Sequence, residues 1–91
     1  MSRLLSRGDT DSPEGDAEAL EVRLSGARPS AIRWKGSWHP IERIALSWQL
    51  DVNWWRARIY RDYYKVLADG MALVIYHDLL TGSWALQRVY D

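Results

Sequence analysis

The chain has no cysteine, no phenylalanine, only two histidines and no net charge. Without cysteine there is no disulfide framework and no thiolate metal site, which fits a reducing cytoplasm. His39 and His77 stand alone, without metal-ligand spacing, so no zinc site is expected. No apolar run approaches the roughly 18–20 residues that span a membrane. Met1–Arg7 offers only Leu4-Leu5 as an apolar pair, too short for a signal-peptide core. Gly36, Gly70 and Gly82 are turn glycines, and none has the spacing that cradles a phosphate. No cofactor, membrane contact or export is therefore expected.

The charge balance hides a small asymmetry. Met1–Pro29 has four basic and six acidic residues, and Ser30–Asp91 has eight and six. The slight excess in the second part is too weak to imply a nucleic-acid partner by itself.

Ninety-one residues allow one domain. Met1–Ala17 is rich in Ser, Gly, Asp, Arg and Glu and lacks aromatics, so 1–17 reads as a disordered tail and 18–91 as a single β domain. A core that small is marginal. Six Trp and five Tyr are its main source of buried area, since each removes roughly 150–250 Å² from water.

The pattern is β throughout. Asp69-Gly70 separates Tyr60–Ala68 from Met71–Tyr76 and predicts a type I′ hairpin. Leu79–Gly82 leads to a third strand, Ser83–Tyr90. Tyr60, Asp62, Tyr64 and Val66 share one face of the first of these, and Arg61, Tyr63, Lys65 and Leu67 the other. Met71–Tyr76 is nearly all apolar, as a central strand covered on both faces would be. In Ser83–Tyr90, plain alternation puts Trp84, Leu86, Arg88 and Tyr90 together. Upstream, Glu18–Leu24 and Ala31–Trp34 read as strands, with a loop at Ser25–Pro29 and a turn at Lys35-Gly36. Ser37–Trp48 reads as one bent strand with a bulge near Pro40–Arg43, the alternative being a short helix over Ile41–Trp48. Leu50–Trp55 reads as a connector. The expected fold is an antiparallel meander of five to six strands, curled or closed into a partly open barrel.

Two groups of residues invite a chemical reading. His77-Asp78 with Ser83 is the one arrangement resembling a base and a nucleophile. Neighbours on a strand point to opposite faces, however, and Asp78 reads better as the start of a turn. No enzyme is expected. The second group interleaves aromatics with cations from Trp54 to Lys65. Such a stretch reads first as a tightly packed small core with an arginine-decorated surface, its Arg and Trp pairing as structural cation–π contacts. The same surface suits a protein partner, for which Trp and Arg are frequent anchors. It also suits single-stranded nucleic acid, with Arg58, Arg61, Tyr63 and Lys65 as the contacts.

Trp34-Lys35-Gly36, Trp54-Trp55, Tyr63-Tyr64-Lys65-Val66 and the closing Gly82–Asp91 segment together resemble the small bacterial domain-of-unknown-function family DUF6504. They are also similar to the C-terminal domain of catalytically degenerate, mutasome-type Y-family DNA polymerase homologues. The resemblance covers roughly Ala31–Asp91. It implies a non-catalytic accessory module that docks a protein of the translesion polymerase machinery, as a monomer or homodimer. It supplies no catalytic residue. The expected docking residues are Trp54, Trp55, Arg56, Arg58, Tyr90 and Asp91. On this reading Trp54→Ala keeps the fold, as circular dichroism would record, and loses the partner; an unfolded variant would place Trp54 in the core instead.

Overall fold

A computed structural model of the chain describes residues 17–53, 55 and 58–90. The expected tail lies outside the described residues, apart from Ala17. Among the described residues there is no helix, and seven strands form one antiparallel sheet. They are β1 (Glu18–Ser25), β2 (Arg28–Trp34), β3 (Ser37–Pro40), β4 (Arg43–Asn53), β5 (Arg58–Ala68), β6 (Met71–Asp78) and β7 (Trp84–Tyr90). Their order across the sheet is β3-β2-β1-β7-β6-β5-β4.

Local chemistry builds the hairpins. Asp69 and Gly70 have φ of 51° and 75°, the paired positive values of a type I′ turn. Lys35-Gly36 uses the same geometry, with φ of 52° and 83°. The expected loop at Ser25–Pro29 shortens to a turn at Gly26-Ala27, because Arg28 and Pro29 already belong to β2. Proline is tolerated there because the ladder is irregular. Leu24 faces Pro29 and Arg23 faces Ala31, which leaves Ser30 as a bulge.

The sheet is two meanders, β1–β3 and β4–β7, joined along β1 and β7 by three facing pairs: Glu18 with Leu86, Ala19 with Ala85 and Leu20 with Trp84. It is open, and its edge strands β3 and β4 are consecutive in sequence. Ile41-Glu42 carries the chain from one edge to the other. The Ile41 amide donates to the Ser30 carbonyl (2.9 Å) and the Glu42 amide to the Leu67 carbonyl (2.7 Å). The sheet therefore curls until its two edges meet at one corner.

This corner explains the strand count. Ser37–Trp48 is neither one bent strand nor a helix. It divides at Ile41-Glu42 into two strands on opposite edges, and the bulge falls at Ala45, between Ile44 and Leu46. The expected connector at Leu50–Trp55 is strand as far as Asn53, because Leu50 and Val52 continue the alternation of Leu46 and Trp48 opposite β5.

Inside the curl, Ile32, Val66, Ala68, Leu73, Ile75 and Leu86 form the core, with Ile41, Ile44, Tyr64 and Trp84 packed against it. Tyr63, Val74 and Tyr76 form a second cluster on the opposite face. Leu73 through Tyr76 are all buried, so β6 is covered on both faces as its composition predicts. A bulge at Gln87 breaks the expected alternation of β7. Trp84 and Leu86 face inward, whereas Arg88 faces Val74 and Tyr90 faces Ala72 on the outer side.

The corner carries a side-chain latch. His39 Nδ1 bonds the Asp69 carboxylate across the gap. Its Nε2 lies 3.3 Å from the Trp34 carbonyl. Both partners are acceptors, so the arrangement favours the doubly protonated ring. The hydrogen bond to Asp69 accordingly raises the His39 pKa above its usual 6.5. The stabilisation is complete below the unfolded-state value and is lost as pH rises through the higher folded value. The urea midpoint is expected to fall as pH rises above about 6.5, and His39→Gln is expected to remove that part of the slope.

Candidate functional site

The outer face of β4–β7 is a set of cross-strand rows. Trp48, Tyr63, Tyr76 and Ala85 make one row, and Leu46, Lys65, Val74 and Arg88 the next. Facing residues share a side of the sheet and touch. The Trp48 and Tyr63 rings stack at 5.3 Å, with planes 5° apart. Tyr63 meets Tyr76 at 5.2 Å. The Arg61 guanidinium lies 4.2 Å from the Tyr76 ring centre, and its Nη1 donates to the Tyr63 hydroxyl at 3.3 Å. These side chains plate the outer face in place of a second layer.

The plating leaves an open region beside it. Leu46, Trp48 and Tyr90 are 57%, 41% and 40% exposed. A hollow of about 170 Å³ lies among Trp48, Val74, Gln87, Arg88 and Tyr90. The Lys65 amine sits 5.0 Å above the Tyr90 ring, and the Arg88 guanidinium 5.8 Å from it. The hollow thus has an aliphatic floor, aromatic walls and two cations at its rim. It suits an apolar or aromatic group with negative charge beside it.

Of the expected docking residues, Trp55, Arg58 and Tyr90 are described, and Arg58 and Tyr90 stand far apart. Trp54, Arg56 and Asp91 lie outside the described residues. Trp55 is 82% exposed in the β4–β5 connection. Arg58 opens β5, where it grips Asp51 through two bonds: Nε to Oδ1 at 3.0 Å and Nη2 to Oδ2 at 2.9 Å. That pair raises the Arg58 pKa and lowers that of Asp51. Tyr90 stands at the other end of the sheet, because it faces Ala72, which faces Leu67 near the end of β5. Nine residue steps along the strand lead from Arg58 to Leu67, roughly 30 Å.

The nucleic-acid set divides as well. Arg61 and Tyr63 are each 5% exposed and cannot meet a strand laid across the sheet. Arg58 projects from the opposite side of β5, and Lys65 alone of the four reaches the open hollow. Sequence reasoning missed Leu46, Trp48, Val74 and Arg88. The period-2 run Leu46, Trp48, Leu50, Val52 was the signal for the first two. Arg88 was masked by the bulge at Gln87.

The other candidates settle into structural roles. His77 stacks on Trp84 at 4.4 Å, with planes 4° apart. Asp78 Oδ1 accepts from the Leu80 and Thr81 amides (2.9 and 3.3 Å) and so begins the turn. The Ser83 hydroxyl bonds Thr81 (2.8 Å). Among the described residues no three His, Asp or Glu are grouped to hold a metal ion, and no helix is long and apolar enough to cross a membrane. A hollow of about 530 Å³ lies between Trp34-Lys35 and Leu86–Val89, with Glu18 as a wall. Its charges are of both signs.

No family model, curated protein or solved structure matches the chain.

The plating and the open region differ in what they contribute to stability. Tyr76→Ala is expected to cost about 3–5 kcal/mol, as for other buried aromatics. Trp48→Ala is expected to cost about 1 kcal/mol, the scale of one exposed ring pair. Urea denaturation of the two variants measures both.

Proposed function

We propose that the chain is a non-catalytic docking module whose outer face, around the hollow beside Trp48, takes a segment of a protein partner. The observation that carries this reading is the grouping of Leu46, Trp48 and Tyr90, three large apolar side chains left exposed, around a Val74 floor with Lys65 and Arg88 at the rim. Exposed apolar surface edged by charge is what a partner segment covers. The partner segment carries an apolar or aromatic anchor beside acidic residues. The resemblance to the C-terminal domain of degenerate Y-family polymerase homologues supplies the setting, DNA damage tolerance in the bacterial cytoplasm, with a protein of the translesion machinery as the partner.

Single-stranded nucleic acid is the competing ligand. Its rings to stack on would be Trp48 and Tyr90 and its phosphate contacts Lys65 and Arg88, since Arg61 and Tyr63 are enclosed.

Purified translesion-machinery proteins and a labelled single-stranded oligonucleotide discriminate the two in equilibrium binding. A protein partner is expected to bind, with Trp48→Ala and Lys65→Glu each weakening it at least about tenfold, or 1.4 kcal/mol, while circular dichroism stays unchanged. Oligonucleotide binding that falls steeply with salt, with no protein bound, would overturn the docking reading.

A further inference from the structure

β4 is the outermost strand on its side of the sheet and is eleven residues long. Among the described residues it pairs only with β5, so half of its backbone donors and acceptors face outward. Protected edge strands are short, or carry lysine, proline or an inward charge. β4 has no charged residue from Ile44 to Leu50, the one charge within its regular run, Asp51, is taken up by Arg58, and its one irregularity, the bulge at Ala45, falls near its start. Beyond the bulge seven residues run regularly. Leu46, Trp48, Leu50 and Val52 lie on the outer face, and Ser47, Gln49 and Asp51 on the other.

That order reads the same in both directions. Laid antiparallel on itself about Gln49, Leu46 faces Val52, Ser47 faces Asp51 and Trp48 faces Leu50. Apolar residues meet apolar ones on the outer face, and polar residues meet polar ones on the inner face. A carboxylate meets a hydroxyl, and no like charges oppose each other. The Arg43 end of each copy lies toward the Asp51 end of the other, and Asp51 is already neutralised by Arg58 (2.9 Å). A two-fold axis through Gln49 makes one surface its own complement, which a symmetric dimer requires.

We infer that β4 pairs with β4 of a second copy of this chain, joining two seven-stranded sheets edge to edge. Ladder hydrogen bonds between the two edges satisfy the outward backbone groups. Leu46 of each copy then meets Val52 of the other across the seam, and Trp48 meets Leu50. This inference rests on the strand edge, not on the Val74 hollow; it shares Leu46 and Trp48 with the docking reading, and the dimerisation test reads it separately from partner binding. A contact of one strand per copy is at the small end of specific interfaces, so the dimer is expected to dissociate on dilution.

Sedimentation velocity from low-micromolar to near-millimolar protein tests it. The wild-type chain is expected to shift from monomer to dimer, and Leu46→Lys, which sets a cation beside the seam at an exposed position, to remain monomeric at every concentration. Hydrogen exchange on the unmutated protein gives a second reading, with alternate β4 amides from Leu46 to Val52 gaining protection as concentration rises. A monomer at the highest concentration would overturn the inference, even if an added extended peptide protected the same amides, because the edge would then belong to a foreign strand. A dimer whose β4 amides exchange at a concentration-independent rate would overturn it too.

Discussion

A lone sheet with, among the described residues, no helix packed on it must cover both of its own faces, and this chain answers with two different devices. The inner face is buried by curvature. The β1–β3 meander swings round until Ile41 and Glu42 tie the edges together, and Ile32 comes against Val66, Leu73 and Ile75. The outer face is buried by its own side chains. Tyr63, Tyr76 and Arg61 pack against one another and shield one another, as large amphipathic groups can. The absence of phenylalanine follows the same logic. A ring that lies at a surface gains from a hydroxyl or an indole N–H on its wet side.

The plating also separates what is structural from what is available. Aromatic and cationic residues crowd the outer face, and composition alone makes all of them candidates for contact. Geometry divides them. Arg61 neutralises part of its desolvation cost against the Tyr76 ring and the Tyr63 hydroxyl. Lys65 and Arg88 instead stand over Tyr90, which is partly open. Two arginines and a lysine within one sheet thus play different parts because of one or two residues of register.

Legibility in the sequence followed the range of the interactions. Asp69-Gly70 and Lys35-Gly36 state their turns in two residues. The apolar run Leu73–Tyr76 states a strand covered on both faces. An antiparallel all-β meander was readable from these signals alone. What was not readable depended on contacts between distant segments. The crossing at Ile41-Glu42 is held by Ser30 and Leu67, so nothing local distinguishes it from a bend. The bulges at Ala45 and Gln87 each shift the alternation by one position, and their effect is visible only against the neighbouring strand. The candidate site suffered most, since it gathers Trp48, Val74 and Arg88 from three strands, while Arg58 and Tyr90, expected together, stand at opposite ends.

The seam between β1 and β7 has a consequence for how the molecule assembles. Its three pairs link Glu18–Leu20 with Trp84–Leu86, the most distant parts of the described chain, whereas every other ladder joins strands adjacent in sequence. Loop-closure entropy makes such a contact the slowest to form, and zipping of the two meanders shortens the loop it must close. Each meander can zip from its own turns. The four-stranded one carries most of the buried residues and is the natural nucleus. The three-stranded one docks afterwards, and until it does the inner face of β6 is open to water. The chain's kinetic vulnerability therefore lies at its shortest ladder.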